Sequence, residues 1–115
     1  MSLVTIWHNP RCSKSRETLN LLEARGVAPE VRLYLKDAPS AAEIRTALDL
    51  LGLSAAALMR KREPVFKDLG LSLDDPEDTL VAAMAAHPIL IERPIVFVDG
   101  DAALGRPPEA VLALL

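Results

Sequence analysis

The residues around Cys12 are of types that together support nucleophilic chemistry. Cys12 is the only cysteine among the 115 residues, and Arg11, Lys14 and Arg16 lie within four positions of it. A thiol attacks as the thiolate, and nearby positive charge lowers its pKa below the value of about 8.5 of a free cysteine. The alternative is that Cys12 is a small buried hydrophobic residue, the commonest state of a free cysteine. The cationic, polar surroundings favour a reactive thiol.

Two more polar side chains are candidates for the same chemistry. His8 precedes Cys12, and a donor or partial charge from its ring would depress the pKa of the thiol. Its structural alternative is to cap a polar network at the end of a strand. Ser15 follows Cys12, and its hydroxyl either hydrogen-bonds the thiolate or belongs to the polar first turn of a helix.

A strand-to-helix turn must position these groups. The apolar, β-branched run 3–7 indicates a strand, and Leu19 and Leu22 recur at helical spacing after it. Pro10 breaks the strand, so Cys12 should lie at or near the first turn of the helix. Helix N-termini expose unpaired N–H groups and a partial positive charge, which favour an anion.

Composition limits the functions open to the chain. Its length predicts one domain with a single core, and half of its residues are hydrophobic. The net charge of −3 and the 3% of aromatic residues argue against a nucleic-acid surface. A single cysteine excludes an internal disulfide and any multi-cysteine metal site, so we expect no metal.

The same features predict a location. No apolar run approaches the ~18 residues needed to cross a bilayer. The N-terminus also lacks the pattern of a signal peptide. A lone cysteine fits a reducing compartment. We therefore expect a soluble, cytoplasmic protein with no membrane partner.

The remaining pattern places a helical stretch inside an α/β chain. The run 30–34 predicts a second strand, parallel to the first. Ser40 and Glu43 form a capping box that opens a series of helices. Further helices are expected at 54–62 and 65–69, and from an Asp75 cap onwards.

The C-terminal part predicts a hairpin and a last helix. Strands are expected at 94–98 and 102–105, joined by the turn dipeptide Asp99-Gly100. Pro107 should start the last helix. That helix should point Val111, Leu112 and Leu115 inward.

Two segments carry a resemblance to a known family. The run from His8 to Arg16 resembles the active-site loop of ArsC-type, glutaredoxin-linked arsenate reductases, which have His-Asn-Pro-x-Cys-x-x-Ser after their first strand. The segment 87–96 is similar to their His-Pro-x-Leu-x-x-Arg-Pro-Ile-Val. The resemblance covers almost all of the chain. It implies an α/β, thioredoxin-like fold with a mixed four-stranded sheet in the order βα-β-helical insertion-ββα. Residues 1–115 would then form a single domain with the insertion at about 40–87.

The resemblance also implies a site and a reaction. The family has arginines at the positions of Arg60, Arg93 and Arg106, which form its oxyanion site; Lys61 and Arg62 are neighbouring candidates for the first of them. In thioredoxin-like folds the proline before the third strand is cis and lies opposite the reactive cysteine, so we expect a cis Arg93–Pro94 bond. The implied reaction is reduction of arsenate to arsenite by Cys12, with glutathione as co-substrate, glutaredoxin as partner and no bound cofactor.

Two other functions stay open at this point. Cys12-Ser13-Lys14-Ser15 has the C-x-x-S spacing of monothiol glutaredoxins, which exchange disulfides with glutathione. Relatives in the same superfamily regulate transcription by binding RNA polymerase, often with a C-x-x-C switch. Ser15 occupies the second position here, so that internal switch is excluded.

Overall fold

The computed structural model describes residues 3–115, which divide into two compact units. One unit comprises the chain up to Asp37 together with Arg93–Leu115, and the other is Ala38–Glu92. Over the described residues, no helix combines the length and apolar character that crossing a membrane requires.

The first unit is built on a mixed four-stranded sheet with the strand order β2-β1-β3-β4. β1 pairs with β2 in parallel, and β3 is antiparallel to both β1 and β4. The strands are β1 (Val4–Trp7), β2 (Glu30–Arg32), β3 (Ile95–Val98) and β4 (Asp101–Leu104). Helix α1 (Ser13–Ala24) joins β1 to β2, and a 3₁₀ helix, Pro108–Leu114, follows β4. The expected thioredoxin-like fold is confirmed.

Apolar residues at alternate positions of β1 and β3 form the core of this unit. Directly opposite residues of antiparallel strands lie on the same face, so these side chains make one continuous apolar surface. α1 and the 3₁₀ helix contribute Leu22 and Val111 to it. The strand residues are Val4, Ile6, Val96 and Val98. This packing anchors α1, and therefore its N-terminus, to the sheet.

The turn between β3 and β4 follows its sequence signal. Asp99 and Gly100 have φ angles of 49° and 88°. Positive φ at both central residues defines the turn whose twist matches that of a hairpin. The predicted hairpin is confirmed.

The second unit is helical. Its elements are α2 (Ala41–Leu51), α3 (Ala55–Leu58), α4 (Pro64–Asp68), α5 (Glu77–Ala86) and a 3₁₀ turn, Pro88–Leu90. The capping box is present, since Ser40 accepts from the Glu43 N–H while the Glu43 carboxylate accepts from the Ser40 N–H. α2 ends at Gly52, whose φ of 67° is the left-handed conformation that glycine adopts without strain.

The helix predicted for 54–62 is shorter than expected. It ends at Leu58 because Met59 pairs with Ile91 in an antiparallel bridge. The Arg60 N–H donates to the Leu90 carbonyl at 2.7 Å, and the Glu92 N–H donates to the Leu58 carbonyl at 2.8 Å. These main-chain hydrogen bonds to residues distant in sequence replace the hydrogen bonds of a helix. Local sequence does not predict such distant partners.

Two further predictions of local structure are wrong. Asp75 does not cap α5, because its carboxylate accepts from the Ser72 N–H at 2.9 Å and the helix begins at Glu77. Leu115 is 51% exposed, whereas Leu114 packs against the core. The 3₁₀ helix has a tighter repeat than the expected α-helix, and this changes which side chains face inward.

The second strand is also shorter than predicted. It ends at Arg32, and Tyr34 lies in the following turn, fully buried. Burial of an aromatic ring in a turn gives the same alternating sequence signal as a longer strand.

Candidate active site

A hydrogen-bonded turn carries Cys12 from β1 to α1. The Asn9 carbonyl accepts from the Cys12 N–H, and the Asn9 side-chain oxygen accepts from the Arg11 N–H, both at 3.0 Å. Asparagine at the first position and proline at the second favour such a turn, since the amide side chain mimics a backbone acceptor and Pro10 presets φ. Cys12 thereby becomes the N-cap residue of α1.

The thiol of Cys12 has a lowered pKa. Burial alone raises the pKa of this thiol, but interactions with the Ser15 N–H, the Arg93 side chain and the Lys14 N–H outweigh burial. The two N–H groups belong to the first turn of α1 and act on the sulfur without closing a conventional cap hydrogen bond. The direction agrees with the prediction from sequence.

Two arginines from the C-terminal part of the chain meet the sulfur. Arg93 hydrogen-bonds the thiol and adds its charge. Arg106 places Nη2 at 3.6 Å from the Cys12 Sγ, and its Nε donates to the Arg93 carbonyl at 2.8 Å. Cys12, Arg93 and Arg106 therefore form one cationic site within the first unit.

Proline residues adjoin both arginines. The Arg93–Pro94 bond is cis, as expected, and the Arg106–Pro107 bond is also cis, which we did not predict.

Gly105 is a residue of this site that sequence reasoning missed. Its N–H donates to the Pro94 carbonyl at 2.9 Å. A Cβ at this position would lie 2.6 Å from both the Pro94 Cγ and the Thr18 Oγ1. No side chain fits there, so β4 and α1 approach each other closely. A glycine at a strand end was the available signal for such an approach.

His8 and Ser15 interact with each other. The His8 Nδ1 lies 2.7 Å from the Ser15 Oγ, which also accepts from the Asn9 N–H at 3.0 Å. The Ser15 hydroxyl is thus engaged away from the sulfur, and it is the Ser15 N–H that lowers the pKa of Cys12. Burial, and then the charge of Arg16, lower the pKa of His8.

Arg60 belongs to the second unit and is held by two carboxylates. Its Nε donates to Glu63 at 3.1 Å and its Nη1 to Glu92 at 2.6 Å. Burial lowers the pKa of this guanidinium, but the two glutamates raise it further than burial lowers it. Arg60 lines a cavity of about 320 Å³ with Lys61 and Arg62, the neighbouring candidates. Its place in an oxyanion site stays a prediction.

The first unit defines a class of protein: a thioredoxin-like fold in which one thiol of lowered pKa lies at a helix N-terminus and contacts two arginines, each followed by a cis proline. Among residues 3–115, no three His, Cys, Asp or Glu side chains are grouped so as to hold a metal ion. Such a site suits nucleophilic attack on an electrophile that carries negatively charged oxygens.

Comparison with known proteins gives the family. The profile of the ArsC family matches residues 7–114, and the chain belongs to this family. It is 53% identical to the uncharacterized protein YfgD of Escherichia coli K12, covering 97% of this chain and 96% of that one. It is 49% identical to an arsenate reductase of Neisseria meningitidis over the full length of both. The structure matches that of an arsenate reductase from Vibrio cholerae with a TM-score of 0.93 and 53% identity, covering 97% of each chain.

Proposed function

We propose that the protein is an oxidoreductase that reduces arsenate to arsenite through Cys12. The observation that carries this proposal is the sulfur with a lowered pKa in contact with Arg93 and Arg106. The choice of arsenate as the substrate follows from relatives that are named arsenate reductase, at 49% and 53% identity. They favour this reading over disulfide exchange and over binding to RNA polymerase.

The two arginines would hold the oxyanion against the thiolate. Guanidinium groups present several donors in a plane, which suits the oxygens of a tetrahedral anion. The Cys12 sulfur attacks arsenic, one arsenate oxygen leaves as water after protonation, and a sulfur–arsenic bond forms. Fixed positive charge stabilises the added negative charge of the transition state. The match of Arg60 to a third arginine of the family supports the same reading.

The electrons come from thiols. Reduction of arsenate to arsenite takes two electrons, and joining two thiols as a disulfide releases two. Cys12 is the only cysteine of the chain, so a second thiol must come from outside. Glutathione is the proposed co-substrate and glutaredoxin the partner that completes the cycle. Because this cycle needs a reducing compartment, we place it in the cytoplasm.

A coupled assay tests the proposal directly. Purified protein with arsenate, glutathione and glutaredoxin should produce arsenite, and Cys12→Ser should reduce the rate to background. Ser13→Ala, which removes an exposed hydroxyl from the same turn, is the matched control and should keep activity. Absence of arsenite formation, or a rate unchanged in Cys12→Ser, rejects the function. Omitting glutathione and glutaredoxin in turn identifies the reductant.

A further inference from the structure

Arg11 lies directly before Cys12 in the sequence, and its side chain is exposed. Among residues 3–115, no acceptor lies within hydrogen-bonding or ion-pairing distance of its guanidinium. The two other cations close to the thiol in sequence are engaged. Lys14 forms an ion pair with a neighbouring glutamate at 3.5 Å, and the Arg16 Nη1 donates to a main-chain carbonyl of the turn at 2.9 Å. Arg11 is therefore the cation of this turn whose donors are open to a ligand.

The main chain that carries Arg11 is fixed by the turn. Its N–H donates to the Asn9 Oδ1, and the N–H of Cys12 donates to the Asn9 carbonyl, both at 3.0 Å. Asn9 is only 6% exposed, and its own N–H donates to the buried Ser15 hydroxyl. The Cα atoms of Arg11 and Cys12 are neighbours, about 3.8 Å apart. A side chain on so fixed a base keeps its charge near the sulfur whatever its rotamer.

The proposed reaction brings a second anion to this place. Cys12 is the only cysteine, so a thiol must arrive from outside, and glutathione is the proposed co-substrate. The thiol of glutathione lies on the central residue of a tripeptide that has a carboxylate at each end and one ammonium group. Cys12 is 9% exposed, whereas Arg11 and Ser13 on either side of it are exposed, so a molecule that approaches the sulfur meets these side chains. Guanidinium donors match a carboxylate in a bidentate geometry.

Arg93 and Arg106 are placed for a different anion. Arg93 hydrogen-bonds the sulfur, and the Arg106 Nη2 lies 3.6 Å from it, so both meet the atom at which the oxyanion would react. Once the oxyanion occupies those donors, a thiol that arrives second needs a separate cation for its carboxylate. Arg11 is next to Cys12 and has no such engagement.

We propose that Arg11 is a specificity-determining residue for the second thiol: its guanidinium binds a carboxylate of glutathione as the glutathione sulfur approaches Cys12. The inference rests on the proposed function, which supplies the need for that thiol, and it adds no chemical step. A thiol without a carboxylate gains nothing from Arg11.

Disulfide exchange at Cys12 tests the proposal without arsenate. The Cys12 thiolate attacks one sulfur of an added disulfide, a mixed disulfide forms, and the other half leaves as a thiolate. Rates are compared for glutathione disulfide, which carries two carboxylates on each half, and for 2-hydroxyethyl disulfide, which is uncharged. Both reactions use the same thiolate, so the ratio of the two rates cancels any change in the pKa of Cys12.

Substitutions of Arg11 should change this ratio in a graded way. Arg11→Ala should lower it about threefold, since a pair of exposed charges is weak. Arg11→Glu should lower it about tenfold, because repulsion of similar size replaces the attraction. Arg11→Lys keeps the charge and should retain most of the ratio. At about 1 M salt the variants and the original protein should converge, because the screening length is then only about 3 Å.

Arg25→Ala is the matched control, because it removes an exposed arginine with the same charge from the other end of α1. It should leave the ratio unchanged. A ratio unchanged in Arg11→Ala overturns the proposal. An equal fall in Arg25→Ala also overturns it, since net charge alone would then explain the effect. A fall that persists at about 1 M salt overturns it as well, because a charge contact would be screened.

The coupled assay adds a readout in the proposed reaction. Arg11→Ala should raise the KM for glutathione about threefold and leave the KM for arsenate near its original value. An equal rise in both would mean that Arg11 binds the oxyanion, which overturns the proposal. If no variant forms arsenite, the proposed function fails, while the disulfide rates still decide the role of Arg11.

Discussion

The arginines of this protein lie in two different electrostatic situations. Arg93 and Arg106, in the first unit, are directed at a thiol and help to make it an anion. Arg60, in the second unit, lies between the carboxylates of Glu63 and Glu92. The charge of Arg60 is already balanced by these two carboxylates. Arg93 and Arg106 instead contact the Cys12 thiol, whose charge depends on pH. All three arginines match the family, yet Arg60 forms ion pairs whereas Arg93 and Arg106 contact the thiol.

This difference shows what makes an arginine available for an oxyanion. Donors that face a weak, ionisable partner can turn to a ligand with little loss, whereas donors bonded to two carboxylates must give up strong, charge-assisted bonds. We therefore expect Arg93 and Arg106 to contribute mainly to activity and Arg60 to contribute substantially to stability.

The largest effect should come from Arg93. Arg93→Ala removes a hydrogen bond and a charge from the Cys12 sulfur. In the proposed reaction it also removes a donor to the oxyanion. Losing such a donor typically costs about 10²–10³-fold in rate, so kcat/KM for arsenate should fall by that factor. Arg25→Ala, at the opposite end of α1, is the matched control and should keep the rate. If both variants behave alike, Arg93 has no special place in the site.

The next largest effect should come from Gly105, which packs closely against Pro94 and Thr18, next to Arg93 and Arg106. Gly105→Ala introduces a methyl group 2.6 Å from Pro94 and Thr18, and overpacking of this kind costs about 1–3 kcal/mol. Unfolding by urea should show this loss. Adding Thr18→Ala removes one of the two clashes and should restore part of the stability. A Gly105→Ala variant as stable as the original protein would show that β4 and α1 can separate there.

Arg60 and Arg106 should differ in what they contribute to folding. Arg60→Met leaves Glu63 and Glu92 facing each other without the cation between them, and we expect a loss of about 1–2 kcal/mol. Arg106 is exposed, so Arg106→Met should change stability by less than about 0.5 kcal/mol. A double-mutant cycle with Arg60→Met and Glu92→Gln should give a coupling of about 1 kcal/mol. Equal losses of stability in Arg60→Met and Arg106→Met would show that the two arginines do not differ in their contribution to folding.

The smallest effect is the pH dependence of stability at Cys12. Its pKa is lower in the folded protein than in the unfolded chain, so the folded state loses its proton first as pH rises. The resulting stabilisation is fully present above the unfolded pKa of about 8.5 and is lost as pH falls through the folded pKa. Each unit of lowering is worth about 1.4 kcal/mol. The stability difference between the original protein and Cys12→Ser, measured by urea unfolding from pH 5 to 9, should increase with pH. A difference that decreases with pH would mean that the thiol is disfavoured as an anion.

Local sequence determined the elements that depend on neighbouring residues. The Asn9-Pro10 turn, the capping box of Ser40 and the Asp99-Gly100 hairpin each rest on hydrogen bonds or φ angles within four residues. The lowered pKa of Cys12 could be inferred in the same way, because part of it comes from the first turn of the helix that follows. The arginines were found only through the resemblance to a family.

Tertiary structure decided the features that join distant positions. Arg106 is 94 positions from Cys12, and only the pairing of β1 with β3 and of β3 with β4 brings their side chains together. The bridge from Met59 to Ile91 shortened a predicted helix, and Ser15 turned its hydroxyl to His8 rather than to the sulfur. Buried polar groups form hydrogen bonds with the partners that the fold brings near them. When those partners are distant in sequence, local sequence patterns do not identify them.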